Sequence, residues 1–197
     1  GEYGTASSQG AEKDPWALKP QALAYAREKG YSHPNNIIDG WTLLHHACQA
    51  TMTRQGMGVV VYQLCDMMNV DSLSCVTTAG YPTGWSALHM LANGRDPFKL
   101  RPGLLKVLLQ SKADPLILGT KGETCLFQAA GTGHTDAKDM LIACGPDPHF
   151  KREKDGLSVV DMAVKSNSEM KEDLQGLGVR SQWRRVFEQS CNRSDTF

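Results

Sequence analysis

The sequence predicts an all-α chain of about four repeated units with helical caps at its ends. Three observations carry that prediction. First, "GWTLLHHACQA" (Gly40–Ala50) recurs as "GWSALHMLANG" (Gly84–Gly94), as "GETCLFQAAGTG" (Gly122–Gly133) and, more weakly, as "GLSVVDMAVKSN" (Gly156–Asn167). Second, the copies stay in register. Their glycines lie 44, 38 and 34 residues apart, and the hydroxyls of Thr42, Ser86, Thr124 and Ser158 keep one offset from them. Third, each copy continues into apolar and small residues of the kind that pack between helices. Self-similarity at such a period is the signature of a repeat architecture, in which one unit buries its face only against the next.

Each position in the motif has a physical reason. The glycine permits a positive φ in a tight turn. The Ser or Thr after it can accept a hydrogen bond from the backbone at a helix start. The Leu and the Ala/Cys pair are apolar or small because neighbouring units press there. Downstream, "LLKVLLQSKADP" (Leu104–Pro115) and "KDMLIACGPDP" (Lys138–Pro148) read as a second helix with its exit turn.

On these motifs the chain resembles the ankyrin repeat family over roughly Asp39–Leu174. That family's pattern is Gly-x-Thr-Pro-Leu-His-x-Ala-Ala, with a period of about 33 residues. "GTGHTDAKDML" is similar to its turn between helices. The resemblance implies an ankyrin-like α-solenoid of helix-turn-helix repeats with short hairpin tips, starting near residues 39, 83, 121 and 155. It also implies that His45 and His89 are structural imidazoles tying backbone between turns. There are departures. Leu43, Ala87, Cys125 and Val159 replace the proline, Phe127 and Asp161 replace the histidine, and Lys112 stands where a glycine is expected. The exit turn at Lys112 should therefore force a side-chain-bearing residue to φ > 0 or be reshaped. The wider spacings imply insertions near Ala50–Met57, Asn69–Thr83 and Arg95–Pro102.

The ends differ from the repeats. Residues 1–13 are rich in Gly, Ser and Ala and read as a flexible arm. Residues 14–38 read as an N-terminal cap. Asp14-Pro15 and Pro20 announce helical starts, and "QALAYAREKG" forms a helix closed by Gly30, with Leu23 and Ala26 on one face. Residues 175–197 read as a C-terminal cap and tail, in which Trp183, Val186 and Phe187 take the spacing of a buried helix face.

Chemistry weighs little against scaffold here. His45, His46 and Cys48 lie within four residues, yet zinc sites take paired short spacings, and none of the six cysteines forms a Cys-x-x-Cys pair. A thiol nucleophile needs an orienting base, and Cys48 should face the core. "GTGHTD" and "GLG" do not match a phosphate-binding loop and read as turns. "KREK" (Lys151–Lys154), Arg184 and Arg185 read as solvated basic residues. No cofactor, metal or catalytic residue is expected.

Basic and acidic residues balance at 21 each, so no global field draws the chain to nucleic acid. "GMGVVVYQLCDMM" (Gly56–Met68) is too short to span a bilayer and contains Asp66, so no membrane insertion is expected. No leader is visible at the N-terminus, and a start at Gly1 leaves open that one was removed. Four cysteines (Cys48, Cys65, Cys125, Cys144) sit among apolar residues, as reduced core thiols do. That outweighs the sequon Asn192-Arg193-Ser194 and favours a reducing intracellular compartment: cytoplasm, nucleus or organelle interior.

What remains is a binding surface. By the resemblance, hairpin tips and first helices build a concave face. On it would stand Trp41, Trp85 and Glu123 at the tips, His46, Met90 and Gln128 beyond, and Gln49 and Asn93 further along. Two tryptophans and a methionine there would make an apolar patch for a protein partner. The competing reading is that Trp41 and Trp85 pack against neighbouring tips, Tyr81 and Pro82 included. The functional expectation is a non-catalytic protein-interaction module or adaptor. The alternative is a structural subunit of a large assembly, with insertions and termini buried against neighbours.

Overall fold

The computed structural model describes residues 14–80, 82–93, 101–166 and 174, and these are mostly helical. In order they form α1 (Pro20–Lys29), β1 (Ile37–Ile38), β2 (Trp41–Thr42), α2 (Leu43–Ala50), α3 (Met57–Met67), α4 (Val70–Ser74), α5 (Ala87–Ala92), α6 (Arg101–Gln110), α7 (Cys125–Thr132), α8 (Thr135–Ala143) and α9 (Val159–Lys165). The two short strands pair antiparallel, Ile37 opposite Thr42 and Ile38 opposite Trp41. The arm expected at 1–13, residues 95–100 of the insertion expected near Arg95–Pro102, and the C-terminal helix around Trp183 lie outside the described residues.

The helices begin where the repeated hydroxyls stand. Thr42, Ser86 and Ser158 each accept a hydrogen bond from the backbone N–H three residues on. The residues at that third position (His45, His89 and Asp161) return a bond to the cap's own N–H. This reciprocal capping satisfies two of the backbone donors that every helix start leaves open. The residues that follow these hydroxyls and Thr124, namely Leu43, Ala87, Cys125 and Val159, open the helices and are all buried.

Helices of six to eight residues are too short to persist alone and depend on packing. α2 packs on α3 and α5, α5 on α6 and α7, and α7 on α8 and α9. On the other side α1 packs on α3, α3 on α6 and α6 on α8. The helices therefore form two rows, α2–α5–α7–α9 and α1–α3–α6–α8, and the core lies between them. Leu44, Leu64, Leu88, Leu105, Leu126 and Leu141 fill it.

Two glycines show how the tips approach one another. Gly40 and Gly84 have φ of 78° and 76°. A Cβ on Gly40 would come within 2.6 Å of Ala79 N, and one on Gly84 within 2.7 Å of Thr120 N. Each tip is thus covered by the chain of the next. Lys112 takes the positive φ expected of its exit turn, 67°, where the next unit has Gly145 at 109°. A non-glycine residue there costs roughly 1–2 kcal/mol.

Two local expectations are corrected. Asp14-Pro15 does not open a helix. Asp14 Oδ1 accepts from Trp16 N and the chain turns until Pro20, because Trp16 is drawn inward and its indole N–H donates to Ser32 O. The helix expected from Leu104 starts at Arg101 instead. The Arg101 side chain is fully buried, and its Nη1 donates to Met90 O (2.9 Å) and Asn93 O. It thereby satisfies carbonyls at the end of α5, where a cation also complements the helix dipole.

α1 is held as an end element. Pro20 starts it, Gly30 closes it in the left-handed conformation, and Ala22, Tyr25 and Ala26 are buried. Gln63 of α3 accepts from Ala22 N, and Lys19 pairs with Asp66.

Candidate protein-binding face

The structure divides the eight expected surface residues into two groups. Gln49 is exposed, and His46, Trp85, Asn93 and Gln128 are half-buried. Trp41, Met90 and Glu123 are interior, at 7%, 4% and 2% exposure. The expected solvent-facing patch of two tryptophans and a methionine is therefore corrected. Trp41 is anchored by tip packing. Its indole N–H donates to Ala79 O at 2.7 Å, and its ring stacks on His46 with centroids 4.9 Å apart. Met90 is drawn into the core on α5. Glu123 is the acceptor for the neighbouring tip. Its carboxylate takes the Trp85 indole N–H (3.2 Å) and the Lys121 N–H (2.9 Å).

Behind this face stand two buried imidazoles. His45 Nδ1 accepts from Thr42 N (3.1 Å), and its Nε2 donates to Cys75 O (3.1 Å). His89 repeats the arrangement, with Ser86 N at 3.3 Å and Glu123 O at 3.1 Å. A carbonyl can only accept, so Nε2 carries the proton and the ring is neutral. Burial disfavours the charged form and brings the His45 pKa down to about 4; the bond to Cys75 O opposes it without reversing it. His89 is lowered for the same first reason. Half-burial also lowers His46, and nearby Lys29 adds to it.

The thiols are equally poorly suited to chemistry. Burial pushes Cys48 well up and takes Cys65 and Cys125 to about 12. A thiol held protonated is a weak nucleophile. Among the described residues, no three His, Cys, Asp or Glu side chains come together in a way that could hold a metal ion. A groove of about 650 Å³ lies between α3 and α6, lined by Gly56, Val59, Tyr62, Gly103 and Leu104 among others. Among the described residues its lining offers no carboxylate, imidazole or thiol.

Two residues that the repeat pattern did not single out belong to the face. Thr132 Oγ1, at the end of α7, donates within its own helix to Gln128 O (2.8 Å) and lies 3.4 Å from Ala92 O of α5. Ser166 Oγ, just past α9, reaches Ala130 O of α7 at 3.1 Å. These hydroxyls bring the ends of α5, α7 and α9 together. Their signal was a Ser or Thr near a helix end, which local capping explains equally well. The basic run at Lys151–Lys154 is exposed except for Arg152, which pairs with Asp155 (2.6 Å) and covers the Phe127 ring.

No protein-family model matches the chain, and no curated protein matches it in sequence. Among the described residues no helix is long and apolar enough to cross a membrane.

Proposed function

We propose that the chain is an ankyrin-like stack of four repeats that binds a protein partner, without catalysis, on the face made by its first helices and tips. The two-row order of helix contacts supports the repeat reading, as do the three reciprocal caps. The observation that carries the binding reading is the grouping of Gln49, Asn93 and Gln128 on the row α2–α5–α7. Their side-chain amides form no hydrogen bond among the described residues, and His46 and Trp85 stand half-exposed beside them. Fold alone names no partner. The balance of charge argues for a protein over nucleic acid. The free cysteines suit a reducing compartment.

The test places charge on the face without touching the core. A Gln49→Arg/Gln128→Arg variant that keeps its helical content should no longer capture the partner that the unaltered chain retains from native extract. Retention at equal affinity would move the site elsewhere.

A second reading, a structural subunit of a large assembly, rests on apolar side chains away from this face. Tyr62, Val59, Leu116 and Leu18 are 59%, 50%, 55% and 95% exposed. Sedimentation separates the two. An adaptor is monomeric alone, whereas a subunit with unmet apolar surface self-associates as concentration rises.

A further inference from the structure

We infer that the row α2–α5–α7 recognises an extended, uncharged stretch of its partner by pairing side-chain amides with that stretch's main chain. This rests on the binding face proposed above and specifies what it takes. α2, α5 and α7 carry no Asp, Glu, Lys or Arg, whereas α1, α3, α6, α8 and α9 each carry at least one. Burial explains this for the inward positions. It does not explain it for His46, Gln49, Asn93, Gln128 and Thr132, which reach the surface and are still uncharged. Among the described residues the cations shown beside the row are Lys29, near His46, and Arg101, whose guanidinium is fully buried and bonded to the Met90 and Asn93 carbonyls. A strongly charged ligand laid across the middle would lose water and meet no exposed opposite charge among the described residues, which costs free energy. A peptide main chain suffers no such penalty where its N–H and C=O groups find partners.

The three amides supply both kinds of partner. Each presents an acceptor oxygen and a donor nitrogen, and none is committed to another side chain or backbone group among the described residues. Gln49 and Asn93 hold the same position in successive repeats, nine residues after Gly40 and Gly84. Gln128 lies one helical turn earlier in the third repeat, and thus on the same face. Neighbouring packed helices are spaced by about 8–10 Å. An extended chain rises by about 3.3 Å per residue. A stretch of about six residues therefore reaches from α2 to α7, meeting one amide on each helix. Trp85 and His46 at the rim give apolar side chains of such a stretch a ring to lie on.

The probes are three pools of twelve-residue peptides (uncharged, acidic and basic) and the uncharged pool with every backbone nitrogen methylated. They are titrated into the full chain while the side-chain amide signals of Gln49, Asn93 and Gln128 are followed by NMR. The expected result is a saturable shift of these signals with the uncharged pool. Binding should weaken at least about tenfold on methylation and in a Gln49→Ala/Asn93→Ala/Gln128→Ala variant that retains its fold. The inference is overturned by no shift, by equal or tighter binding of a charged pool, or by binding that survives methylation or the triple substitution. If it fails while the Gln49→Arg/Gln128→Arg variant still loses the native partner, the binding face stands and its ligand is of another kind. If that variant keeps the partner, the face itself is refuted.

Discussion

His45 and Phe127 hold the same position in their repeats, three residues after the capping hydroxyl, and they secure those repeats by different physics. His45 and His89 are polar ties. Each ring joins its own helix start to a carbonyl in the following segment, Cys75 O or Glu123 O. Phe127 has nothing to donate or accept. Thr124, its neighbour at the cap, makes no side-chain capping bond, and its Oγ1 is buried without a partner among the described residues. What replaces the tie is an apolar ring at 2% exposure under the Arg152 guanidinium, 5.4 Å from the ring centre. Asp161 is a third case. It caps its own helix, and among the described residues its carboxylate bonds only to Ser158. A joint between repeats can thus be made by an oriented hydrogen bond or by packed area, and the two should answer differently to truncation and to acid.

Truncating the packed joint should have the largest effect. Phe127→Ala is expected to cost about 3–5 kcal/mol by denaturant unfolding, in the range of Leu44→Ala and Leu88→Ala at about 2–5 kcal/mol. On the proposed repeat stack, stability passes between neighbours, so adjacent helices should loosen as well, visible as faster amide exchange. A Phe127→Ala midpoint equal to that of the unaltered chain would mean that the ring is not a joint.

Acid should separate the two kinds of joint. The folded His45 pKa of about 4 lies below its ordinary 6.5, so the unfolded chain binds the extra proton first. The stabilisation is complete above pH 6.5 and is lost as pH falls from 6.5 towards 4, by roughly 3 kcal/mol at most. His89 adds a loss of the same sign. Unfolding curves at pH 7 and pH 4.5 should therefore differ more in the unaltered chain than in a His45→Phe/His89→Phe variant, where only His46, lowered as well, keeps a histidine contribution. An undiminished difference in that variant would assign the acid sensitivity to other groups.

At neutral pH, His45→Phe should cost less, about 1–3 kcal/mol, because it leaves the Thr42 N–H and Cys75 O buried without their partner. Chemical denaturation measures it, and a neutral result would show that the tie is dispensable. The smallest contrast lies in the caps. Thr42→Val should cost about 1 kcal/mol, while Thr124→Val should be neutral or slightly stabilising, since it removes a buried hydroxyl with no hydrogen bond among the described residues. Equal losses at both sites would erase the difference drawn here between the two ends.

The tryptophans show where sequence reading stopped. Trp41 and Trp85 were recognisable as equivalent residues at equivalent tips, and both readings of them, surface patch or packed tip, were open. Which holds depends on Ala79 O and on the Glu123 carboxylate, each 38 residues away. Arg101 was illegible for a similar reason. Nothing around it in the sequence says that its guanidinium will lie beneath the end of α5. Gln49, Asn93 and Gln128 were legible as residues of one face, but that their amides form no hydrogen bond among the described residues was not.

By itself the sequence determined the helix starts behind the repeated hydroxyls, the positive-φ turns at Gly40, Gly84, Gly122 and Gly156 and the apolar face of each helix that follows them. All of these follow from local rules: a hydroxyl accepts from a backbone N–H three residues on, a left-handed turn favours glycine, and apolar spacing marks a face. Only the tertiary structure decided which of the repeated polar and aromatic residues are consumed in holding one segment to the next and which remain for a partner. That choice is made by carbonyls and carboxylates some thirty to forty residues distant, such as the Cys75 and Glu123 carbonyls that take the histidines and the Ala79 and Glu123 oxygens that take the indoles. A hydrogen bond is won or lost over a few tenths of an ångström, and so distant a partner is fixed only when the whole chain has packed.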